Sequence, residues 1–144
     1  MLTQAQAKRL FHYDPVTGEL RGRRKVIASE YVRVDGVLYR ATHVIWVWMT
    51  GKWPTHTIDH RDTNTHNNSW GNLREATRSE QQANRTSGYG GKLKWAIKQP
   101  NGRFAAIVGY NNKRYRAGVF DTEQEAHDAA FKLAQRLHGG FVRK

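Results

Sequence analysis

The residues from 57 to 85 combine side chains that could hydrolyse a phosphodiester bond. Asp59 and His60 are adjacent, and the stretch that follows them is rich in Asn. Hydrolysis of a phosphodiester needs a general base for water and a cation near the leaving oxygen. An imidazole titrates near neutral pH and suits the base, and carboxylate oxygens are ligands that Mg²⁺ prefers. We therefore interpret His60 as a candidate general base and Asp59 as a candidate metal ligand.

The segment around this pair is expected to form a strand, a loop and a helix. Residues 57–60 have the pattern of the end of a short strand. Residues 61–71 contain Asp, Thr, Asn, Ser and Gly with almost no aliphatic side chains, which predicts a loop. The residues that follow favour a helix beginning near Thr77 or Ser79. Adjacent strand residues point to opposite faces, so the Asp–His pair can share one site only at a bend or at the strand's edge.

The same stretch resembles the HNH endonuclease motif, in the version found in phage and mobile-intron homing enzymes. The matching positions are Asp59-His60, Asn64, Asn67-Asn68, Asn72-Leu73-Arg74, Ala76 to Ser79 and Asn84-Arg85. The resemblance implies a ββα-metal (His-Me finger) core in which Asp59 binds Mg²⁺, or another divalent cation such as Mn²⁺. It also implies that His60 is the general base and that Asn72 braces the loop and the strand.

The third position of the motif departs from the family pattern. An Asn or His completes the metal site there in the family, and this chain has Gln81. A Gln amide oxygen can bind Mg²⁺, but it lies one methylene further from the backbone. Asn84, one turn further along a helix, is the alternative ligand. The departure keeps open a second function, a DNA-binding regulator or accessory protein of the same architecture that no longer cuts.

The chain as a whole is strongly basic. Its net charge of +12 predicts a polyanionic partner, most simply double-stranded DNA. An RNA-binding or ribosome-associated protein is the remaining alternative. Arg23 and Arg24 lie in a basic segment, residues 21–25, which fits either a solvated edge strand or a ribbon that contacts phosphate. The absence of cysteine from the sequence excludes disulfides and a Cys-rich zinc ribbon.

Localisation and assembly follow from simpler patterns. No apolar run is long enough to span a bilayer, and residues 1–4 do not resemble a secretory signal. We therefore expect a cytoplasmic protein, in a bacterial or phage-infected cell, with no membrane partner and no small-molecule cofactor. Nothing in the sequence marks a dimer interface, so we expect a monomer.

The segments before the motif are predicted to position it. Thr3 can cap a helix that runs to Phe11. Asp35-Gly36 lies between two alternating segments and predicts a hairpin turn. Residues 41–49 are strongly apolar, and we interpret them as a buried helix despite their β-branched side chains.

The C-terminal part has the pattern of a second small domain. Residues 87–91 contain three glycines and predict a linker between an N-terminal and HNH domain, 1–86, and a domain covering 92–144. Alternation and turn residues predict three antiparallel strands, at 92–98, 104–110 and 113–120. A capping box of Thr122 and Glu125 then starts a helix. The predicted fold class is α+β, an HNH core followed by a three-stranded sheet with one packed helix.

This second part resembles the APETALA2-type DNA-binding domain. The match covers residues 89–142 and includes Trp95-Ala96-Ile97, Asn101-Gly102, Tyr115, Gly118-Val119-Phe120, Ala129-Ala130 and Leu137-His138-Gly139. In that family the sheet enters the major groove and reads bases with Arg and Trp side chains. The resemblance implies five DNA contacts, at Arg103, Arg114, Arg116, Lys94 and Lys98. Period-two spacing places Arg114 and Arg116 on one face of the sheet. The alternative interpretation is that this outer face is only solvated and binds no DNA. Trp95 is expected in the core.

Overall fold

In the computed structural model, which describes residues 1–85 and 92–143, every sheet joins strands that are neighbours in the sequence. The chain divides into two compact units, Met1–Ala76 and Thr77–Lys144, both of mixed α and β structure. The predicted linker, 87–91, lies outside the described residues. The predicted domains, 1–86 and 92–144, remain predictions. Within the described part, no helix is both long enough and apolar enough to cross a membrane.

The first unit packs two helices and three short hairpins around one apolar core. Its elements are α1 (Gln4–Leu10), β1 (His12–Tyr13), β2 (Leu20–Arg21), β3 (Tyr31–Val34), β4 (Val37–Arg40), α2 (Ala41–Thr50), β5 (Thr57–His60) and β6 (Leu73–Ala76). The predicted buried helix is confirmed as α2, whose Val44 and Ile45 are fully buried. Gly51 ends it at φ +74°, a conformation that glycine adopts without steric cost. Thr3 caps α1 as predicted.

The residues after the loop were predicted to favour a helix, but the first of them form a second strand. Leu73–Ala76 forms β6, which pairs antiparallel with β5 from Thr57↔Ala76 to His60↔Leu73. The helix α3 (Arg78–Asn84) then begins after a capping box of Thr77 and Glu80. The helix-favouring residues of β6 adopt a strand because Leu73 is buried in the core of the first unit. Tertiary packing therefore overrides local propensity over these four residues.

The second unit is a three-stranded sheet covered by one long helix. Its further elements are β7 (Ala96–Lys98), β8 (Phe104–Tyr110), β9 (Lys113–Phe120) and α4 (Glu123–His138), with strand order β7-β8-β9. The predicted second and third strands are confirmed, and so is the capping box of Thr122 and Glu125. The alanine stripe of α4 packs on Ala106 and Val108 of β8 in a fully buried core.

The first strand of this sheet is shorter than predicted. Trp95 was expected to alternate within a strand over residues 92–98, but it lies in a turn at φ +68°. It stacks on His127 of α4, with ring centroids 6.3 Å apart. The expected strand is therefore wrong for its first half, since Trp95 packs against the core from outside the sheet.

Candidate active site

The hairpin β5–β6 carries the Asp–His pair and sets the face on which each residue lies. Its register pairs Asp59 with Arg74 and His60 with Leu73. Directly opposed residues of an antiparallel pair share a face, and neighbours along a strand alternate. Asp59 and His60 therefore belong to opposite faces. Such a pair can meet one substrate only where the strand ends, and His60 is the last residue of β5.

Asp59 is held by a buried ion pair within the hairpin. Arg74 Nε donates to Asp59 Oδ2 at 3.0 Å. The two side chains are only 8% and 13% exposed, so this contact is shielded from solvent. A carboxylate has two oxygens and about four lone-pair sites, so pairing with one guanidinium is compatible with binding a cation as well. Arg74 thus fixes the orientation of the candidate metal ligand.

His60 is oriented by an amide in the loop. Its Nε2 lies 2.8 Å from Asn68 Oδ1. An amide oxygen can only accept, so the ring nitrogen donates, and the neutral imidazole carries its proton on Nε2. The lone pair of the ring is then on Nδ1, which is the atom that can take a proton from water.

Asn72 closes the loop from its C-terminal end. Its Nδ2 donates to Asp62 Oδ1 and to the carbonyl oxygen of Asn67, both at 2.8 Å. Its Oδ1 accepts from the backbone N–H of Asp62 at 3.0 Å. The side chain is buried, so these three bonds replace its hydrogen bonds to water. Asn72 therefore links both ends of the loop that carries Asn68.

Asp62 is a loop residue that the sequence analysis did not single out. Hydrogen bonds from the Asn67 side chain, the Asn64 backbone and the Asn72 side chain hold the pKa of its carboxyl below the ordinary value. The carboxylate therefore stays charged through the neutral range and continues to accept these bonds. An Asp side chain often accepts a hydrogen bond from the backbone two residues on, as Asp62 Oδ1 does from the Asn64 N–H at 2.8 Å, and this tendency was the available signal that Asp62 organises the loop.

The described residues contain no large cluster of metal-binding side chains. Among the residues that the structure describes, no group of three or more His, Cys, Asp or Glu side chains could hold a metal ion. A structural zinc site usually takes four such ligands. Mg²⁺ keeps several waters and takes one or two carboxylates from the protein. The single carboxylate of Asp59 is therefore fewer ligands than a structural zinc site needs.

The two remaining candidate ligands belong to the second unit. Gln81 and Asn84 lie on α3, and Asn84 is only 2% exposed. Asp59, His60 and Asn72 belong to the first unit. The structure therefore brings three of the five predicted site residues into one hairpin and loop, and the ligand roles of Gln81 and Asn84 stay predictions.

Residues 39–83 match the family model of HNH endonucleases. The match spans the hairpin, the loop with Asn68 and Asn72, and nearly all of α3. The match suggests nuclease activity on DNA, and HNH nucleases generally use divalent metal ions. No curated protein and no solved structure matches the chain.

Outside residues 39–83, the segment that matches HNH endonucleases, two arginines share the outer face of the C-terminal sheet. The register pairs Arg116 with Ile107 and Arg114 with Gly109. The intervening residue of β8, Val108, is fully buried, so these pairs lie on the face away from α4. Both arginines are exposed, and they form a basic pair on the outer face.

Lys94 does not lie on this face, and its buried side chain does not offer the expected DNA contact. It is 6% exposed, and its Nζ donates to the carbonyl oxygens of Ala83 at 2.6 Å, Arg143 at 2.9 Å and Arg85. Three N–H donors thus meet three backbone acceptors. Burial lowers the pKa of Lys94 to about 8, with a contribution from Arg143. Lys94 therefore fixes the end of α3 and the C-terminal segment.

The other basic candidates are exposed but differently placed. Lys98 pairs with Phe104, which packs in the core, so it lies on the face opposite to Arg114 and Arg116. Arg103 Nε donates to Asp121 Oδ1 at 2.9 Å. Neither residue therefore extends the basic pair of the outer face.

Arg23 and Arg24 lie in a turn rather than in a strand. The turn is closed by the Gly22 N–H, which donates to the Lys25 carbonyl at 2.9 Å. Both arginines are exposed there. The edge-strand interpretation is therefore wrong for these two residues, although Arg21 lies in β2, and phosphate contact stays a prediction.

Proposed function

We propose that this chain is a metal-dependent endonuclease that hydrolyses phosphodiester bonds in duplex DNA, of the kind found in phage and mobile-element homing enzymes. The observation that carries the proposal is the hydrogen bond from His60 Nε2 to Asn68 Oδ1, inside the segment that matches HNH endonucleases. This contact gives an imidazole a defined orientation and a defined acceptor atom. A general base needs both.

In the proposed reaction, His60 Nδ1 takes a proton from a water molecule. The water oxygen forms a bond to phosphorus as the bond from phosphorus to the 3′ oxygen breaks. The 3′ oxygen takes a proton from solvent, and the products are a 5′-phosphate and a 3′-hydroxyl. The proton on His60 is then returned to solvent, which restores the neutral ring.

A divalent cation, Mg²⁺ or Mn²⁺, would supply positive charge beside the scissile phosphate and the departing oxygen. Asp59 is the proposed carboxylate ligand, with Gln81 or Asn84 contributing an amide oxygen. Arg74 holds the Asp59 carboxylate in place through the 3.0 Å contact. Asn72 keeps the loop closed around His60 through its bonds to Asp62 and Asn67.

The second unit is proposed to select the site of cleavage as an APETALA2-like DNA-binding domain. Its support is the exposed pair Arg114 and Arg116 on the outer face of a three-stranded sheet packed on one helix. Arg binds the edge of guanine with two hydrogen bonds in the major groove. Arg103, Lys98, Arg23 and Arg24 are proposed phosphate contacts, which position the duplex without reading its sequence.

A supercoiled plasmid assay tests the proposed function. Wild-type protein should convert the plasmid to nicked or linear DNA with Mg²⁺ and not with EDTA. Asp59→Ala should remove the cleavage that Mg²⁺ supports, because it deletes the proposed carboxylate ligand. Cleavage at the wild-type rate in EDTA, or by Asp59→Ala, would refute metal-dependent chemistry at this site.

One observation favours the second candidate, a DNA-binding protein that no longer cuts. The position that holds Asn or His in the resembling family is Gln81 in this chain. The same plasmid assay separates the two functions when it includes Gln81→Asn. An inactive wild type that still binds duplex DNA, and that gains cleavage on this substitution, would support the non-cutting protein.

A further inference from the structure

The backbone of Asn68 is held by the N-terminal hairpin β1–β2. The hydroxyl of Tyr13 donates to the carbonyl oxygen of Asn68 at 2.6 Å. Tyr13 is 1% exposed, and its ring packs edge-on against Trp48 at a centroid distance of 5.7 Å. Burial, and to a smaller extent the negative charge of Asp14, raises the pKa of Tyr13 to about 12. The hydroxyl therefore keeps its proton and remains a donor.

The turn of the same hairpin lies directly against the loop. A side chain at Gly18 would place a Cβ atom 2.3 Å from Ser69 N and 2.4 Å from the carbonyl carbon of Asn68. Gly18 also has φ +77°, which other residues rarely adopt. The Trp70 N–H donates to the carbonyl oxygen of Pro15 at 2.9 Å. The turn therefore fixes three consecutive loop residues by close backbone contact.

The side chain of Asn68 extends this support to His60. Its Oδ1 is the 2.8 Å acceptor for the imidazole Nε2. A continuous set of contacts thus runs from the buried Tyr13 hydroxyl through the Asn68 backbone and side chain to the candidate general base. Asn72 closes the same loop by bonding Asp62 and Asn67. Asn68 and Asn72 therefore do different things, since one orients the ring and the other closes the loop.

We propose that Asn68 is the positioning residue for His60, and that the N-terminal hairpin holds Asn68 in the position required. Asn68 keeps the proton of the neutral ring on Nε2 and the lone pair on Nδ1. The role in cleavage rests on the proposed nuclease function, whereas the effect on the ring does not. A shift of a reacting group by about 1 Å can cost about 100-fold in rate, so support this far from the reacting phosphate can matter.

The direct test asks which ring nitrogen of His60 carries the proton. ¹⁵N NMR on histidine-labelled, metal-free protein measures this. The His60 signals are those that disappear in His60→Ala. At about pH 8, the neutral ring of wild-type His60 should show its proton on Nε2. Asn68→Leu should give a mixture of the two neutral forms. Asn68→Asp, which keeps an acceptor of the same shape, should retain the proton on Nε2.

A matched control lies in the same loop. Asn64→Ala removes an amide whose Oδ1 accepts from the His66 N–H at 3.1 Å, and it should leave the His60 signals unchanged. Tyr13→Phe keeps the buried ring and deletes only the hydroxyl, so it should shift the His60 signals toward those of Asn68→Leu. The amide spectrum of each variant reports whether the unit is still folded.

Cleavage rates complete the test. Asn68→Leu should cut duplex DNA about 100-fold more slowly than wild type, whereas Asn68→Asp and Asn64→Ala should keep most of the rate. A folded Asn68→Leu protein whose His60 signals equal those of wild type would overturn the inference, even if cleavage were lost. A wild type that does not cut would instead refute the proposed function, and the NMR result would still decide the role of Asn68.

Discussion

Asp59 and Arg74 face each other across the hairpin β5–β6, with Nε of the arginine 3.0 Å from Oδ2 of the aspartate. Both side chains are largely buried, so the two opposite charges compensate each other in a site shielded from solvent. The pair joins the candidate catalytic strand to its neighbour at the residue next to His60. It therefore has a structural role in addition to the proposed role of Asp59 in metal binding.

The ion pair predicts a large coupling between its members. Arg74→Met should lower the free energy of unfolding by about 3 kcal/mol, because it leaves a carboxylate buried without its guanidinium. The double variant with Asp59→Asn should recover part of this loss. Chemical denaturation of the two single variants and the double variant measures the coupling. Arg33→Met, at an exposed arginine, is the control, and additive losses would contradict a stabilising pair.

The buried ammonium of Lys94 predicts a loss of stability rather than a loss of DNA affinity. Lys94→Met keeps much of the volume but leaves the carbonyls of Ala83, Arg85 and Arg143 without their common donor. The free energy of unfolding should fall by about 1–3 kcal/mol or more. Binding to duplex DNA at low temperature should stay near that of wild type.

The control for Lys94 is Lys98→Met, which removes the same charge from an exposed position. It should leave the unfolding midpoint unchanged. If Lys94→Met weakened DNA binding without destabilising the protein, Lys94 would be a phosphate contact after all.

His138 predicts a dependence of stability on pH. Burial lowers its pKa, and Lys94 contributes in the same direction, whereas the contact with the Gly109 carbonyl and the charge of Glu80 oppose the shift. The folded state therefore binds this proton less readily than the unfolded state. The resulting stability is fully present above the pKa of His138 in the unfolded chain, about 6.5. It is lost as the pH falls through the lower pKa of His138 in the folded protein.

Thermal unfolding at a series of pH values checks this prediction. The wild-type midpoint should fall as the solution is acidified below about pH 6.5, the ordinary pKa of histidine. In His138→Gln, which cannot be protonated there, the fall should be smaller. Equal slopes in the two proteins would show that other groups cause the dependence, such as His43, whose pKa is lowered by burial and by Arg40.

The outer face of the C-terminal sheet predicts where duplex DNA binds. Replacing Arg114 and Arg116 together by Ala should weaken binding by about 1–3 kcal/mol for each arginine that reads a base. The control is Ala at both Lys8 and Arg9, two exposed basic residues of α1, which removes the same total charge. Fluorescence anisotropy over a range of salt concentrations measures both proteins. Equal losses would mean that net charge, and not this face, governs binding.

Local signals in the sequence predicted most of the helices and strands. Asp35-Gly36 and Asn111-Asn112 form tight turns with positive φ, and the strands beside them follow from alternation. The capping box of Thr122 and Glu125 marked the start of α4, and Thr3 and Thr77 were expected at the starts of α1 and α3. These elements were predictable because the deciding interactions join residues that are near one another in the chain.

The misplaced residues depend on contacts that are distant in the chain. Leu73 belongs to a strand because it is buried in the core of the first unit, and its helix-favouring neighbours follow it. The local sequence predicts that Lys94 is exposed, whereas the structure buries its ammonium group against acceptors that include the carbonyl of Arg143, far along the chain. The role inferred for Asn68 likewise depends on Tyr13 and Gly18, which no local pattern connects to the HNH segment.

The rate of plasmid cleavage by His60→Ala is the measurement that tests the central claim most directly. His66→Ala is its matched control, because His66 is an exposed histidine of the same loop. With Mg²⁺, we predict that His60→Ala cuts about 10²–10⁴-fold more slowly than wild type, whereas His66→Ala cuts at the wild-type rate. Cleavage by folded His60→Ala at the rate of the wild type would contradict the account.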